Sequence, residues 1–171
     1  MERAELARLL GHPGTGQRQA TLPPCCVVEG TPAAFVTAFA AAVAGGGEVL
    51  LGDPQWGTRE QAQLAAILAA GARPDAPEGG ATPERGWLAL PTGGSSGQLK
   101  FARHDGATLA AAVAGFQRHF GVTRVQAVGV LPLYHVSGFM AWMRCALSGG
   151  CYQPWDWKRL ATGDVPPLPA G

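Results

Sequence analysis

Residues 87–104 read WLALPTGGSSGQLKFARH: an apolar run, a stretch of glycine and serine, and a second run of mixed character. The pattern predicts two strands, WLALP (87–91) and LKFAR (99–103), because short apolar runs bounded by glycine and serine are typical of strands. The residues between them make a poor core and a poor helix, but they make a flexible loop rich in hydrogen-bond donors. That loop is the first candidate for a binding site.

One interpretation of the loop is a phosphate cradle. The backbone amides of Gly93–Gly97 can crowd toward an anion, and the hydroxyls of Thr92 and the two serines can donate to it as well. The ammonium of Lys100 supplies a mobile positive charge for a polyphosphate. The spacing GxxxxGK[ST] is absent, so the loop is not that of an ordinary nucleotide hydrolase.

Two other interpretations are open on the residues alone. Gly93–Gly97 matches GxSxG, which makes Ser95 a candidate hydrolase nucleophile with His104, His119 or His135 as base. That motif requires a helix directly after the serine, whereas the residues that follow read as extended. The remaining interpretation is a plain hairpin loop, which is what many glycine- and serine-rich segments form.

Strand and helix patterns alternate along the rest of the chain. EVLL (48–51), VQAVGVLPL (125–133) and CYQPW (151–155) are predicted strands, and residues 11–30 read as a connection rich in glycine and proline. Helices are predicted over residues 1–10, from a Thr31 cap, from a Thr58–Gln61 capping box, from an Asp105 cap and from about Ser137. Their predicted inward residues are Leu6, Leu9 and Leu10; Phe35, Phe39 and Val43; Leu64, Ile67 and Leu68; and Leu109, Val113, Phe116 and Phe120.

This alternation predicts an α/β fold with a mostly parallel sheet flanked by helices. We expect WLALP and VQAVGVL to run parallel within one sheet. Parallel sheets bind ligands at the carboxyl ends of their strands. Residues 92–97 and His135, which follow these two strands, are therefore expected at the same edge.

Composition narrows the classes of function. The chain has 171 residues, of which 47% are hydrophobic and 15% charged, which indicates a folded domain with a real core. The net charge of +1 gives no basic stripe for nucleic acid. Four cysteines without a CxxC spacing argue against zinc and for reduced thiols. With no signal peptide and no apolar stretch long enough for a transmembrane segment, we expect a cytoplasmic protein.

Two motifs together indicate a family. LPTGGSSGQLKFARH (90–104) resembles the phosphate-binding loop of the acyl-adenylate-forming, AMP-binding enzymes and acyl-CoA synthetases, whose usual form is TSG[ST]TGxPKG. VLPLYHVSGFM (130–140) resembles that family's second signature, and GDPQWG (52–57) is similar to its Asn/Asp-Pro-x-Trp turn. Leu99 and Phe101 depart from the usual proline and glycine. In this they resemble the o-succinylbenzoate–CoA ligases of the cyanobacterial type.

The resemblance, which covers about residues 30–157, implies a fold and an activity. It implies the N-terminal subdomain of an adenylate-forming ligase, incomplete, with residues 1–30 as an N-terminal helix and linker, 31–157 as a partial AMP-binding domain and 158–171 as a truncated C-terminal loop. The implied activity is ATP-dependent ligation of a carboxylate to CoA through an acyl-adenylate, with o-succinylbenzoate as substrate in menaquinone or phylloquinone synthesis. ATP, Mg²⁺ and CoA are the implied cofactors. Family members are much longer, so we expect this chain to be inactive by itself.

The resemblance also implies roles for individual residues. It makes Lys100 a catalytic cation and assigns Arg144 to the substrate's second carboxylate, since an arginine among Phe139, Trp142 and Met143 needs an anionic partner. The alternative for Arg144 is an exposed place on the outer face of its helix, and for His135 a structural role in its loop. A non-catalytic nucleotide-binding remnant is the alternative for the whole chain. The implied nucleotide-binding residues are Thr92, Gly93, Gly94, Ser95, Ser96, Gly97 and Lys100, and the implied substrate-binding residues are His135, Ser137, Gly138 and Arg144.

Overall fold

A computed structural model describes residues 1–12, 23–71, 86–92 and 97–167. The strands in this part of the chain are β1 (Cys25–Val27), β2 (Val49–Leu51), β3 (Leu88–Thr92), β4 (Lys100–His104), β5 (Ala127–Gly129) and β6 (Tyr152–Pro154). The helices are α1 (Arg3–Leu9), α2 (Pro32–Gly45), α3 (Thr58–Ala69), α4 (Gly106–Phe120), α5 (Val136–Ser148) and α6 (Trp157–Ala161). None of these helices has the length and apolar character needed to cross a membrane.

A four-stranded sheet has the order β1-β2-β3-β4. Its first three strands are parallel, and β4 returns antiparallel to β3 with Thr92 paired to Lys100 at the loop end of the hairpin. Helices pack against this sheet, so the predicted α/β class with a mostly parallel sheet is confirmed. Strand β1 lies within residues 11–30, which the sequence analysis assigned to a connection. It is only three residues long, too short for a periodicity to reveal.

Strand β5 does not join this sheet. It pairs in parallel with β6 to form a separate two-stranded sheet, so the expectation that WLALP and VQAVGVL share a sheet is wrong. An apolar run predicts that a strand is buried, but it does not identify the neighbouring strand. The run is also shorter as a strand than predicted, because the chain turns at Pro132 and Leu131 is 52% exposed.

Aromatic side chains join the two sheets. Phe35 and Phe39 of α2 meet Phe139 and Trp142 of α5, with ring centroids 5.2 Å apart for Phe39–Phe139 and 5.5 Å for Phe39–Trp142. All four rings are buried. Since α2 packs on β1 and β2 while α5 packs on β5 and β6, this cluster fixes one sheet relative to the other.

The predicted helix caps are partly confirmed. Thr31 accepts a hydrogen bond from the amide of Ala34, and Asp105 forms a reciprocal capping box with Thr108. The Thr58–Gln61 capping box is wrong: Gly57 is the N-cap, and the Gln61 amide donates to the carbonyl of Trp56 at 2.8 Å. The side chain of Gln61 is long enough to reach past the cap position, so sequence spacing alone does not reveal its partner.

Most residues predicted to face inward are buried where their helix packs on a sheet, whereas those at two helix ends are exposed. Leu6, Phe35, Phe39, Val43, Leu109 and Val113 are buried, whereas Leu9 is 57% and Phe120 59% exposed. Both exposed residues lie in the last turn of their helix. Residues 158–171, predicted as a loop, contain most of α6.

An arginine anchors the N-terminal helix to the C-terminal end of α2. The guanidinium of Arg3 donates to the carbonyl oxygens of Val43 and Ala42 at 2.9 Å and of Gly46 at 3.0 Å. It also lies 4.5 Å from the ring centroid of Trp87, and burial lowers the pKa of Arg3 to about 10. The contact satisfies carbonyl groups that the end of a helix leaves unpaired.

The aromatic cluster generates a stability prediction. Replacing Phe39→Ala is expected to lower the free energy of unfolding by about 3–5 kcal/mol, since it leaves a cavity between α2 and α5. Urea denaturation of the 171-residue chain measures this value. Phe120→Ala removes the same side chain from an exposed position and is expected to cost at most about 1.5 kcal/mol, the value of one aromatic pair. Equal losses for the two variants would contradict the central role of the cluster.

Candidate functional site

The candidate site lies where β2 and β3 end. The register pairs Val49 with Leu88 and Leu50 with Ala89, so the two strands reach the same edge of the sheet together. Asp53 follows β2 there, and Thr92 ends β3. Gly93, Gly94, Ser95 and Ser96, which were predicted to bind phosphate, lie outside the described residues.

Thr92 and Lys100 form the base of the loop. The hydroxyl of Thr92 donates to the carbonyl oxygen of Lys100 at 3.2 Å, and both residues are exposed. The hairpin thus presents a hydroxyl and an ammonium on the two strands that enter and leave the loop. The segment after the loop is strand β4 and not a helix, so the strand–turn–helix geometry of a serine nucleophile at Ser95 is not present.

Helix α3 holds the second arm of the loop through one side chain. The amide of Gln63 donates to the carbonyl oxygen of Gly97 at 3.1 Å and accepts from the backbone N–H of Leu99 at 2.7 Å. Gly97 has a positive φ of 67°, which glycine adopts without strain. The sequence analysis missed Gln63. The available signal was a polar residue beside Leu64 and one turn before Ile67, on the side of α3 that faces the sheet.

His135 reaches the same edge from the other sheet. It is the N-cap of α5, and its Nε2 lies 3.9 Å from Oδ2 of Asp53. Asp53 also accepts a hydrogen bond from the backbone N–H of Gln55 at 2.8 Å. Burial and the neighbouring Asp53 carboxylate raise the pKa of Tyr134, whose ring packs 4.8 Å from that of His135. Thus His135 lies at the same sheet edge as Thr92, although not through the shared sheet that we expected.

The next two predicted residues begin α5. Ser137 is exposed and Gly138 is buried. A Cβ on Gly138 would collide with the backbone carbonyls of Pro132 and Leu131, so a glycine is needed for the first turn of α5 to pack on the preceding turn. This packing is the role that the structure gives Gly138.

Arg144 points away from this edge. Its guanidinium carbon lies 4.4 Å from the ring centroid of Phe116 on α4, and its Nε is buried without a hydrogen-bond partner among the described residues. Nine residues separate it from His135, which is two and a half helical turns, so the two lie on opposite sides of α5. The structure therefore does not bring Arg144 and His135 together.

Two apolar cavities lie elsewhere. The larger, of about 820 Å³, lies between the start of α2, the end of β5 and residues 154–157; the smaller, of about 360 Å³, lies between α2 and α5. Of the predicted site residues that the structure describes, none lines either cavity.

The cysteines add no chemistry to the site. Burial raises the pKa of Cys26 to about 12 and raises that of Cys145, so both remain protonated thiols near neutral pH. Within the described ranges no group of three His, Cys, Asp or Glu side chains could hold a metal ion.

Comparison with solved structures establishes the fold. The structure of o-succinylbenzoate CoA synthetase (MenE) of Bacillus subtilis bound to a product analogue matches with a TM-score of 0.65 and 14% identity. The match covers 94% of this chain and 39% of that protein. The same enzyme with AMP matches over 94% and 50% with a TM-score of 0.64 and 14% identity. An adenylation domain of a keto acid-selecting NRPS module matches over 94% and 37%, with a TM-score of 0.59 and 17% identity.

The chain has the fold of the adenylate-forming ligases. It spans between about a third and half of the length of these proteins. No family model and no curated protein sequence matches it. The adenylate-forming fold is therefore shown by the structure alone.

The bridge from α3 to the loop generates a second prediction. Replacing Gln63→Leu is expected to speed hydrogen exchange at the Leu99 amide about fivefold, because a lost hydrogen bond of about 1 kcal/mol no longer protects it. NMR-detected exchange measures the rate. Gln61→Leu, on the same helix, breaks only the bond to Trp56 and is expected to leave the Leu99 amide unchanged. No change at Leu99 in the Gln63 variant would show that the bridge does not hold the arm.

Proposed function

We propose that this chain forms the phosphate-binding part of an ATP-dependent carboxylate–CoA ligase that proceeds through an acyl-adenylate. The observation that carries the proposal is the meeting of three segments at one sheet edge: the Thr92–Lys100 hairpin end, the Asp53 turn and His135. The adenylate-forming fold and the two sequence motifs support the same activity. We also propose a cytoplasmic location, and residues 31–157 as the ligase portion.

The residues at the hairpin suit the first chemical step. A substrate carboxylate attacks the α-phosphate of ATP, and pyrophosphate departs with increasing negative charge. The ammonium of Lys100, the hydroxyls of Thr92, Ser95 and Ser96 and the backbone amides of residues 93–97 can stabilise that charge. In the second step the thiol of CoA displaces AMP from the acyl-adenylate. Mg²⁺ would accompany the phosphates of ATP, where it commonly binds with the help of only one or two carboxylates.

We propose o-succinylbenzoate as the carboxylate, in menaquinone or phylloquinone synthesis. The sequence resemblance supports it, and structural neighbours include o-succinylbenzoate CoA synthetase in complex with its acyl-adenylate, OSB-AMP. His135 and Ser137, at the start of α5, are the proposed wall residues of the acyl pocket. Gly138 has no side chain and would let the substrate approach the backbone there. Arg144 is proposed to pair with the second carboxylate, supported by its buried Nε, which has no partner among the described residues. Because Arg144 lies on the side of α5 opposite His135, this pairing requires the second carboxylate to reach the α4 side of that helix.

The nucleotide-binding remnant remains the alternative function. Such a remnant would bind the phosphates of a nucleotide with the same loop as the ligase, but it would release no pyrophosphate. Assaying a full-length ligase that carries residues 1–171, with o-succinylbenzoate, ATP, Mg²⁺ and CoA, distinguishes the two. Formation of acyl-adenylate and thioester supports the ligase, and ATP binding without either product supports the remnant.

Lys100 generates a prediction about rate. In such a full-length ligase, Lys100→Ala is expected to slow pyrophosphate release by about 10²–10³-fold, since its charge acts on the departing phosphates. The KM for the carboxylate is expected to change little. Lys158→Ala, which removes an exposed lysine from α6, is the control and should leave the rate unchanged. An unchanged rate for Lys100→Ala would remove this residue from the mechanism.

Arg144 generates a prediction about substrate binding. Replacing Arg144→Leu is expected to raise the KM for o-succinylbenzoate by about 10²-fold or more, because losing one member of a buried ion pair costs about 3–5 kcal/mol. The KM for ATP should be unaffected. An analogue that lacks the second carboxylate provides the matched control and should be used equally by both proteins. Identical kinetics with o-succinylbenzoate would show that Arg144 only packs against Phe116.

The 171-residue chain alone is expected to form no acyl-CoA. Adenylation requires phosphate, adenine, ribose and carboxylate groups to be positioned together, and such positioning contributes about 7–11 kcal/mol. The chain provides the proposed phosphate loop and a limited acyl wall, but not the groups for adenine and ribose. Incubation with o-succinylbenzoate, ATP, Mg²⁺ and CoA, followed by mass spectrometry, checks this. Thioester above the level of a protein-free control would contradict the expectation.

A further inference from the structure

We propose that Arg59 is a second polyphosphate-binding cation, acting beside Lys100. The proposal rests on the function proposed above and extends it to a residue that neither the motifs nor the resemblance identified. Arg59 lies in the first turn of α3. Its two terminal guanidinium nitrogens lie 2.9 Å from the point where a Cβ on Gly97 would be, so the charge lies directly on the second arm of the loop.

Only glycine at position 97 permits this contact. A side chain there would occupy the space that the guanidinium fills, and the positive φ of 67° would be strained for it as well. Gly97 therefore serves two purposes. It lets the chain leave the loop, and it lets an arginine approach the backbone of the loop.

No described carboxylate neutralises Arg59. Asp53 precedes α3, but its oxygens face the Gln55 amide and the His135 imidazole. Glu60 follows Arg59, but its Oε2 lies 3.2 Å from the point where a Cβ on Gly57 would be, at the N-terminus of α3. The ion pairs within the described ranges involve other residues. The guanidinium is thus placed on the loop with its charge available to an anion.

Helix α3 carries Arg59 and also holds the second arm of the loop. Gln63 lies four residues after Arg59, so the two side chains share a face of α3. Gln63 fixes the Gly97 carbonyl and the Leu99 amide, and Lys100 follows directly as the first residue of β4. Helix α3 therefore carries the guanidinium and, through the two hydrogen bonds of Gln63, also positions the backbone that leads into Lys100.

The pair of cations indicates the class of ligand. A guanidinium presents a planar fork that can donate two parallel hydrogen bonds to phosphate, whereas an ammonium is a compact point charge. Arg59 lies on the α3 side of the sheet, whereas Lys100 has the register of Leu90, which faces α2. The two cations therefore flank the loop from its two sides, which favours an anion with two or more linked phosphates over a single phosphate. The preferred ligand is thus inorganic pyrophosphate or the β,γ end of a nucleoside triphosphate, and Arg59 would stabilise pyrophosphate as it departs.

The test measures binding of pyrophosphate and of AMP to the 171-residue chain by isothermal titration calorimetry. Arg59→Gln is expected to weaken pyrophosphate binding about tenfold or more, equivalent to about 1.4 kcal/mol, and to leave AMP binding unchanged. Gly97→Ala should produce a similar loss because it displaces the guanidinium, and Arg59→Lys should restore part of the affinity. Arg124→Gln removes an exposed arginine between α4 and β5 and is the matched control.

The outcomes separate this proposal from the proposed function. If the chain binds pyrophosphate, Lys100→Ala weakens that binding and Arg59→Gln does not, the function stands and the role of Arg59 is overturned. If the unaltered chain binds no pyrophosphate, both fail. Should a variant unfold, as judged by circular dichroism, NMR of the unaltered chain decides: pyrophosphate is expected to shift the side-chain Nε–Hε signal of Arg59 and not that of Arg124. An unshifted Arg59 signal overturns the proposal.

Discussion

The position of the candidate site depends on the contact between α2 and α5. No strand pairing among the described residues connects β5 and β6 to the four-stranded sheet, so the buried rings of Phe35, Phe39, Phe139 and Trp142 replace the hydrogen bonds that a continuous sheet would have provided. Packed aromatic rings resist rotation because each edge meets a neighbouring face. The turn that carries His135 begins α5, and it reaches Asp53 only because this cluster fixes the angle between α5 and the sheet.

Polar contacts, and not core packing, hold the phosphate side of the site. Helix α3 has no fully buried residue; Leu64, Ile67 and Leu68 lie only partly buried against a small cluster around Leu50 and Phe101. The bridge from Gln63 to Gly97 and Leu99 therefore carries much of the attachment between α3 and the loop. A segment with few buried apolar contacts opens at lower free energy than the core. Such an arrangement suits the proposed role of the loop, which would admit a polyphosphate and release pyrophosphate.

The sequence predicted those parts that depend on local pattern. The four-residue spacing of Phe35, Phe39 and Val43, the Asp105 cap and the hairpin around the glycine-rich loop are all present in the structure. Contacts between distant segments were not predictable in this way. The pairing of β5 with β6, and the reach of Gln63 and Arg59 to Gly97, depend on which surfaces meet after folding. Among the site residues, the order of the motifs predicted where the hairpin ends and that His135 lies at the same edge. It did not predict on which side of α5 Arg144 lies.

The net charge of the chain and the charges around the candidate loop lead to different conclusions about anion binding. A net charge of +1 argues against a long-range field and against nucleic-acid binding. A phosphate site needs no such field, because an anion in direct contact responds to the two or three charges nearest to it. Arg59 and Lys100 lie at one loop, and Asp53, the acidic residue that follows the neighbouring strand β2, directs its oxygens to Gln55 and His135. The proposed polyphosphate site therefore rests on the arrangement of those three side chains and not on the composition of the chain.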